Sequence, residues 1–301
     1  MAAIPRNAWG RLNVNRSTNF SAVDARPASR TSSDGDGRSN ESATTDGFVV
    51  AIGGFDPTGG AGLVRDFLTA RTLGAGVRLI PTAWTDQSPA GVRAVEPRGP
   101  AALADAIAFA RNSRVEPAAV KVGMVPTIDS VAAIVGALEG FEGPVVVDPV
   151  LAASSGGPLF DGTPTDLMPL LARATLVTPN AHEATRLTGV SVDGPLAAAA
   201  AGRALCGAGV QAVLVKGGHW SGPEAVDVLV AAGRRSPVER QFSGPRLAGP
   251  PVRGTGCALA TAIAVGLSRG LSLESAIASA KDWLAGALAH PVEAGGEWHL
   301  S

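Results

Sequence analysis

From Gly47 onward, short apolar runs that end in glycine or a polar residue alternate with segments of helical pattern. The first run, residues 48–52, is followed by Gly53 and Gly54, as expected for a strand buried on both faces of a sheet. Strands that alternate with helices at this spacing are typical of βαβ units, which place parallel strands side by side and cover both faces with helices. The sequence therefore predicts an α/β domain with a mostly parallel central sheet.

The same alternation continues through the rest of the chain. It predicts strands over residues 48–52, 77–84, 118–124, 144–148, 176–178, 212–216 and 226–230. It predicts helices that end near Ala70, that cover residues 100–111, 130–138, 181–187 and 196–206, and that begin at Thr255 and at Leu273. Ligands of such sheets bind beyond the carboxyl ends of the strands. Functional residues are therefore expected just after the strands, and the glycine-rich and charged segments do follow them.

Residues 1–46 have a different composition, rich in Ser, Arg, Asn, Thr and Asp and without apolar periodicity. Such a segment buries too little apolar surface to offset the entropy lost on ordering. We therefore predict a disordered N-terminal extension over residues 1–46 and one folded domain over residues 47–301. The arginine bias of the first 33 residues leaves three origins open, namely a targeting segment, a plain tail or a misplaced start codon.

Charge and cysteine content narrow the class of partner. A formal net charge of −1 gives no electrostatic basis for binding nucleic acid or an anionic membrane surface. Cys206 and Cys257 stand far apart and fit neither a disulfide framework nor a zinc site. No apolar run reaches the roughly 18 residues needed to span a bilayer. These features predict a cytoplasmic protein whose partner is a small molecule.

The segment Gly254-Thr255-Gly256-Cys257 precedes an alanine-rich helical run. Unpaired backbone N–H groups and the helix dipole make such a helix start suitable for an anion, here a phosphoryl group. Cys257 lies on the first turn, where the pKa of a thiol is often lowered. It is thus a candidate base or hydrogen-bond partner for an attacking hydroxyl. The alternative is a glycine-containing helix start with a small buried cysteine.

A second glycine-rich segment runs from Gly53 to Gly62 and carries Asp56, with Asp66 one turn into the next helix. Its glycines let the backbone approach a ligand closely. Their spacing matches neither a P-loop nor a Rossmann fingerprint. Alternatively, the segment is a flexible connection in which Asp56 forms a turn and Asp66 is a solvated helix residue.

Asn180 and Glu183 follow the predicted strand that ends before Pro179. An amide and a carboxylate at this spacing can hold the water shell of Mg²⁺, which prefers oxygen ligands and keeps several waters. The alternative is an N-cap residue with a glutamate in the first helical turn, which is a frequent pairing.

Charged residues also end two other predicted strands. Lys216, followed by two glycines, can meet a nucleotide phosphate as a point charge. Asp148 places a carboxylate at the same edge of the sheet. We interpret Lys121 as structural, and His219 as either a loop histidine or a ligand.

Seven motifs, taken in their order along the chain, resemble those of the hydroxymethylpyrimidine/phosphomethylpyrimidine kinases of thiamine biosynthesis, in the ribokinase superfamily. They are Gly53-Gly54-x-Asp56-Pro57-Thr58-Gly59-Gly60-Ala61-Gly62, Thr82-Ala83-x-Thr85-x-Gln87, Lys121-Val122-Gly123-Met124, Asp148-Pro149-Val150, Thr178-Pro179-Asn180-x-x-Glu183-Ala184, Val215-Lys216-Gly217-Gly218-His219 and Gly254-Thr255-Gly256-Cys257. The resemblance covers about residues 47–290. It implies a ribokinase-like three-layer αβα sandwich with a mostly parallel central sheet and little or no lid domain.

The resemblance also implies an activity. ATP and Mg²⁺ would phosphorylate 4-amino-5-hydroxymethyl-2-methylpyrimidine and then its monophosphate. Gln87 would hydrogen-bond the aminopyrimidine in a pocket lined by Gly54 and Met124, and Asp56 belongs to the same substrate-binding set. The assembly expected by default is a homodimer.

The remaining roles that the resemblance implies concern phosphoryl transfer. They are Lys216 and Asn180 for the nucleotide, Glu183 and Asp148 for Mg²⁺, and Gly254, Thr255, Gly256 and Cys257 for catalysis. Cys257 stands where most members of the superfamily have an aspartate base. This cysteine favours the pyrimidine-kinase branch over sugar kinases.

The sequence departs from the family pattern at several positions. Phe55 replaces a small serine beside the expected substrate pocket, Ser88-Pro89 replaces Asn-Thr, Ala153-Ser154 replaces Ala-Lys, and Arg253 replaces a histidine. Two further functions therefore stay open. One is a pyridoxal or pyridoxine kinase, whose substrate also carries a hydroxymethyl group on a nitrogen ring. The other is a non-catalytic pyrimidine-binding regulatory domain on the same fold.

Overall fold

The computed structural model describes residues 48–88, 91–112, 116–153, 156–218, 220, 224–233, 236–294 and 296–301. The strands are β1 (Val49–Phe55), β2 (Val77–Ser88), β3 (Gly91–Pro97), β4 (Ala119–Val122), β5 (Val145–Val147), β6 (Leu176–Val177), β7 (Ala212–Val215), β8 (Glu224–Ala231), β9 (Val238–Pro245), β10 (Val292–Ala294) and β11 (Glu297–His299). The helices are α1 (Gly62–Thr72), α2 (Pro100–Arg111), α3 (Ile128–Ala137), α4 (Met168–Arg173), α5 (Ala181–Thr188), α6 (Pro195–Gly207), α7 (Thr255–Ser268) and α8 (Leu273–Ala289), with a short 3₁₀ turn at Pro164–Leu167. The extension predicted over residues 1–46 lies outside the described residues.

Nine strands form one sheet in the order β3-β2-β1-β4-β5-β6-β7-β8-β9. The six strands from β2 to β7 in this order are parallel to one another. β3 pairs antiparallel with β2, and β8 pairs antiparallel with both β7 and β9. β10 and β11 form a separate antiparallel hairpin. The antiparallel pairs therefore lie toward the edges of a parallel centre.

The central strands are apolar on both faces because helices cover both. Val50 and Ile52 of β1 belong to a core that includes residues of α2 to α6. Val49, which points the opposite way along the pleat, belongs to a second core with residues of α1, α7 and α8. The predicted three-layer αβα sandwich is thus confirmed.

The strand order reverses at β1. β1 pairs with β2 on one side and with β4, which follows β2 and β3 in the chain, on the other. The connections leave such a pair of strands in opposite directions and open a crevice beyond their carboxyl ends, where α/β proteins bind ligands. The residues at the end of β1 and just after β4 therefore border this crevice.

Helix α7 lacks a side-chain cap, as do α1, α2 and α6, but among the described helices only α7 has an N-cap residue in the left-handed conformation. Thr127 and Ser272 cap α3 and α8 by accepting hydrogen bonds from backbone N–H groups of the first turn. At α7 the N-cap is Gly254, with φ of 73°, and no side chain caps the first turn. A Cβ atom at Gly254 would collide with the carbonyl oxygen of Gly60. Glycine therefore lets the start of α7 pack directly on the loop after β1.

Several elements were not predicted from the sequence. β3 and β9 are edge strands, and β9 exposes the side chains of residues 238–241 to solvent. An exposed polar edge strand lacks the apolar run on which a strand prediction depends. β10, β11 and α4 have three, three and six residues, too few for a periodic pattern.

In the ranges that the structure describes, the longest helix is α8, with 17 residues. No helix in those ranges is long and apolar enough to cross a bilayer.

Helix α6 packs closely on β8 at Gly202, where a Cβ atom would lie 2.5 Å from Val230 Cγ2. We expect Gly202→Ala to lower the free energy of unfolding by roughly 1–3 kcal/mol relative to Gly207→Ala, because an added methyl group overpacks the core. Gly207 ends the same helix, and nothing lies within 4 Å of its Cβ position. Urea denaturation of both variants measures the difference. Equal stabilities would show that α6 can shift to accept the methyl group.

Candidate active site

Most of the residues predicted for the site meet around the start of α7. A Cβ atom at Gly256 would lie 3.1 Å from Lys216 Nζ and 3.4 Å from Asp148 Oδ2, so both charged groups border the helix start. Arg253, the residue directly before Gly254, donates to Gln87 Oε1. We call Lys216 and Asp148 the charged half of the site, and Arg253 and Gln87 its second half.

Gly54 and Met124, which the resemblance assigns to the substrate pocket, contact each other. A Cβ atom at Gly54 would lie 2.5 Å from Met124 Sδ, so only glycine lets the thioether occupy this space. Met124 is buried, and Thr82 Oγ1 donates a hydrogen bond of 2.8 Å to its carbonyl oxygen. The two residues predicted from the sequence are therefore in direct contact, Gly54 near the end of β1 and Met124 just after β4.

Gln87 lies near the end of β2, where both ends of its amide are hydrogen-bonded. Its Nε2 donates to Thr85 Oγ1 at 2.9 Å, and its Oε1 accepts from Arg253 Nη2 at 3.1 Å. The side chain is half-buried. It keeps one N–H and one oxygen lone pair for a ligand.

Arg253 is a site residue that the sequence identified only as a departure from the family pattern. Its guanidinium contacts Asp56 Oδ2, Gln87 Oε1, Thr58 Oγ1 and Glu297 Oε2 at 3.0–3.3 Å. The side chain is 14% exposed. Its partners come from the loop after β1, from β2 and from β11, so no local pattern could reveal them. The only signal was an arginine directly before Gly254.

Asp56 is completely buried and shapes the loop after β1. Its carboxylate accepts hydrogen bonds from the N–H and hydroxyl groups of Thr58 and from the N–H of Ala61, and Arg253 pairs with it at 3.3 Å. Both oxygens are engaged by the protein. The structure therefore shows the turn-forming alternative, and a direct contact of Asp56 with substrate stays a prediction.

Lys216 and Asp148 form the charged half. Lys216 Nζ lies 2.6 Å from Asp148 Oδ1, which also accepts from Thr178 Oγ1 at 3.1 Å. Burial alone would lower the pKa of Lys216, but the carboxylates of Asp148 and Glu183 raise it above its usual value. Lys216 is therefore a fixed positive charge beside the start of α7.

Asn180 and Glu183 form the reciprocal capping pair that the sequence left open. Asn180 Oδ1 accepts from the Glu183 N–H at 2.9 Å, and Glu183 Oε2 accepts from the Asn180 N–H at 2.8 Å. Burial and the nearby charge of Asp148 raise the pKa of Glu183 to about 7, although Lys216 and backbone N–H groups oppose this rise. The capping pair therefore explains the hydrogen bonds of the Glu183 carboxyl group but not its raised pKa.

The charged half of the site, with Asp148 and the nearby Glu183, suits a Mg²⁺ ion that is bound to a nucleotide better than a metal held by protein ligands alone. No cluster of three or more His, Cys, Asp or Glu side chains suited to a metal exists within the described ranges. Asp148 and Glu183 nevertheless repel each other, as the raised pKa of Glu183 shows. A cation would relieve this repulsion, and Mg²⁺ usually combines one or two carboxylates with phosphate and water ligands.

The pKa of the Cys257 thiol differs from the value expected from the sequence. The sequence predicted a lowered thiol pKa at the helix start, but the pKa is raised to about 11. Burial is the main cause, and the negative charges of Asp66 and Asp148 add to it, while Lys121 and the N–H of Gly62 oppose it. At neutral pH Cys257 is therefore a protonated thiol, so the expected lowering of its pKa was wrong, while its role as a base or a hydrogen-bond partner stays a prediction.

Asp66 and Lys121 form a buried ion pair next to Cys257. Lys121 Nζ lies 2.9 Å from both oxygens of Asp66, which also accepts from Thr261 Oγ1 at 2.8 Å. None of the three side chains is more than 1% exposed. The interpretation of Lys121 as structural agrees with this geometry, whereas the reading of Asp66 as a solvated helix residue was wrong. His219 lies outside the described residues.

Phe55 points away from Gln87. Its ring packs against Trp84, with ring centroids 4.9 Å apart. Trp84 and Thr85 are consecutive in β2 and therefore lie on opposite faces of the strand. Thr85 is the residue that bonds Gln87. The aromatic ring that replaces a serine in the family pattern is thus on the face of β2 opposite Thr85.

The raised pKa of Glu183 predicts a change of stability with pH. Between its ordinary value of 4.5 and about 7, the folded state holds a proton that the unfolded state releases. Stability should therefore fall across this range as the pH rises, and Glu183→Gln should remove a fall on the order of 1–3 kcal/mol. Urea denaturation at several values between pH 5 and 8 measures the difference between the variant and the wild type.

Glu274, also in a first helical turn but exposed, provides the matched control, because Glu274→Gln should give a nearly pH-independent difference. Parallel curves for Glu183→Gln and the wild type would refute the raised pKa.

Comparisons with known proteins agree on one family. The sequence model of the phosphomethylpyrimidine kinase family matches residues 56–300. A hydroxymethylpyrimidine/phosphomethylpyrimidine kinase of Rhizobium meliloti is 38% identical over 251 residues, covering 80% of this chain and 90% of the relative. The kinase of the same name from Escherichia coli is 34% identical over 252 residues, with the same coverage of 80% and 90%.

Solved structures show the same fold. A phosphomethylpyrimidine kinase of Clostridium difficile has a TM-score of 0.68 at 30% identity, covering 80% of this chain and 99% of that one. A pyridoxal kinase of Bacillus subtilis, solved as an ADP complex, has a TM-score of 0.74 at 23% identity, covering 85% of this chain and 97% of that one. The second likeness shows the fold alone. From the family match and the relatives above 30% identity, the chain belongs to the phosphomethylpyrimidine kinase family.

Proposed function

We propose that the chain transfers the γ-phosphoryl group of ATP to the hydroxymethyl group of 4-amino-5-hydroxymethyl-2-methylpyrimidine, and then phosphorylates the monophosphate, in thiamine biosynthesis. The observation that supports this most directly is the uncapped start of α7, with Lys216 beside Gly256 and with Arg253, which donates to Gln87, directly before the helix. A phosphoryl group between the two halves of the site would meet donors from both. Relatives with this activity in their names are 34–38% identical over four-fifths of the chain.

The transferred group would bind at the first turn of α7. The backbone N–H groups of Thr255, Gly256 and Cys257 point out of the helix and, in the absence of a side-chain cap, can donate to phosphoryl oxygens. Such preorganised donors stabilise the charge that grows during transfer. Lys216 adds a positive charge beside Gly256, and its ammonium group has three N–H donors, of which Asp148 engages one.

Glu183, Asp148 and Asn180 would lie on the nucleotide side of the transferred group. The two carboxylates are suited to orient the water ligands of a Mg²⁺ ion bound to ATP, and Asn180 fixes Glu183 by mutual capping. When bound, the ion would neutralise phosphate charge. The chain's own contribution is to hold Lys216 and Glu183 at fixed positions around that charge.

Cys257 would act as a hydrogen-bond donor in this reaction. A thiol with a pKa of about 11 is protonated at neutral pH and is a poor acceptor of the alcohol proton. Phosphoryl transfer through a loose transition state makes little demand on a base, since the proton can leave late, to a phosphoryl oxygen or to water. Positioning and charge stabilisation would therefore account for most of the catalysis.

Two alternatives, a kinase with a related substrate and a non-catalytic domain, are tested by the same assay. A pyridoxal kinase would show its highest kcat/KM with pyridoxal. A non-catalytic pyrimidine-binding domain was suggested by Phe55, but the ring of Phe55 packs on Trp84 and lies away from Gln87. That geometry favours a catalytic pocket. The disordered extension over residues 1–46, the homodimer and the cytoplasmic location stay predictions.

For the wild type, we expect ADP release with the aminopyrimidine alcohol and with its monophosphate, and a kcat/KM for the alcohol at least about tenfold above that for pyridoxal. A coupled ADP assay with the three substrates measures this. A preference for pyridoxal would contradict the pyrimidine assignment. Tight binding of the alcohol without ADP release would identify a binding domain.

Gly256→Ala tests the proposed phosphate position in the same assay. The methyl group would occupy space next to Lys216 Nζ, and we expect kcat to fall by about 10²-fold or more, as when one such donor is lost. Gly136→Ala in α3 is the control, because nothing lies within 4 Å of its Cβ position. Normal turnover of a folded Gly256→Ala protein would place the phosphate elsewhere.

Substitution of Cys257 tests whether its side chain acts as a hydrogen-bond donor or as a general base. We expect Cys257→Ser, which keeps a hydrogen-bond donor, to retain kcat within about tenfold. Loss of a general base typically costs about 10²–10⁴-fold. Steady-state kinetics between pH 6 and 9, with melting curves as the folding check, give the result. A loss in the larger range for Cys257→Ser would restore the cysteine as the base.

A further inference from the structure

We propose that Arg253 is a positioning residue that fixes the donor–acceptor order of the Gln87 amide, so that the pocket accepts an aminopyrimidine and rejects its deaminated oxo analogue. This inference rests on the proposed function, because it takes Gln87 to face the heterocycle. It adds Arg253, which lies outside the seven motifs, to the residues of the site. It also gives a physical basis for selecting the aminopyrimidine over the oxo analogue.

The contacts of Gln87 permit only one orientation of its amide. A guanidinium group donates hydrogen bonds and cannot accept them, so the group of Gln87 that faces Arg253 Nη2 at 3.1 Å must be the oxygen. Thr85 Oγ1 donates its own hydrogen to the carbonyl oxygen of Phe55 at 2.9 Å. It therefore accepts from Gln87, and the group that faces it must be Nε2.

Rotation of the amide by half a turn would break both contacts. The NH₂ group would then face the N–H donors of Arg253, and the oxygen would face a lone pair of Thr85. Two hydrogen bonds would become two repulsive pairs in a partly buried environment. Arg253 and Thr85 together therefore fix Gln87 with Oε1 toward α7 and Nε2 toward β1.

Arg253 is itself held in place. It lies between the carboxylates of Asp56, which is completely buried, and Glu297, at N–O distances of 3.3 and 3.0 Å. Glu297 belongs to β11, so the C-terminal hairpin contributes to the position of this guanidinium. A charge paired on two sides and only 14% exposed has little freedom to turn away from Gln87.

The fixed orientation of the Gln87 amide matters because the two heterocycles carry opposite hydrogen-bond donor and acceptor groups at the same ring positions. An aminopyrimidine presents a ring nitrogen that accepts beside an amino group that donates. Its oxo analogue presents a ring N–H that donates beside a carbonyl that accepts. An amide free to rotate can match either pattern, whereas a fixed amide matches one and leaves unpaired polar groups with the other.

The test compares kcat/KM for the aminopyrimidine alcohol and for 5-hydroxymethyl-2-methylpyrimidin-4-one. We expect the wild type to prefer the amino compound by at least about a hundredfold. Arg253→Gln replaces the obligate donor by an amide that can also accept, so only the hydrogen bond to Thr85 then opposes rotation of Gln87. The preference should fall by at least about tenfold, with an absolute gain for the oxo compound. Mere damage to the fold would not produce that gain.

Two further variants keep the inference falsifiable. Arg253→Lys retains an obligate donor beside Asp56 and should keep most of the preference. Arg240→Met, at an exposed ion pair with Glu274, is the control and should change neither constant. In a Gln87→Leu background, Arg253→Gln should no longer alter the ratio, because its effect passes through Gln87. An equal loss for both compounds, or a ratio change that persists without Gln87, would overturn the inference.

Calorimetric dissociation constants for the two compounds, measured without nucleotide, distinguish this failure from failure of the proposed function. If the wild type turns over neither compound but binds the amino compound selectively, the kinase assignment fails and the role of Arg253 is tested on binding alone. If the wild type is an active kinase with an unchanged ratio in Arg253→Gln, only the role of Arg253 fails. Binding of neither compound would overturn both.

Discussion

The buried ion pair between Asp66 and Lys121 connects the layers that meet at the site. Asp66 comes from α1, Lys121 from β4, and Thr261 of α7 donates to the same carboxylate. The pair thus holds α7 against β4, which lies next to β1 where the strand order reverses. The first turn of α7 is the proposed phosphate position. Because both charges are removed from water, loss of one partner would leave the other uncompensated, at a cost of about 3–5 kcal/mol.

Positive charge at the site occurs in pairs with acids. Lys121 lies against Asp66, Lys216 against Asp148, and Arg253 against Asp56. An anionic substrate therefore meets directed N–H groups and shared cations, and no large excess of positive charge. The direction of the N–H donors then matters more for binding than the total positive charge. This arrangement suits a reaction whose catalysis depends on positioning. The same pairing explains the raised pKa of Cys257, since burial and the neighbouring acids outweigh Lys121.

The sequence predicted the central sheet well because its strands are apolar runs ended by glycine or a polar residue, a local pattern. It predicted the residues at the strand ends for the same reason, and Gly54, Met124, Lys216 and Asp148 lie where that argument places them. It did not predict β9, whose exposed polar side chains resemble a loop. Arg253 and the pKa of Cys257 depend on partners distant in sequence and on burial, which local patterns do not reveal.

The hydrogen bond between Thr261 and Asp66 has a consequence for the order of folding. It joins residues 195 positions apart, and α7 packs on β4 and β5 as well as on α1. During synthesis, the first strands and helices emerge long before α7 can cover them. Contacts of such long sequence separation slow folding, because the intervening chain must be ordered before they form. The first turn of α7, the proposed phosphate position, is therefore assembled late, and until then one face of the nascent sheet is exposed to chaperones and to aggregation.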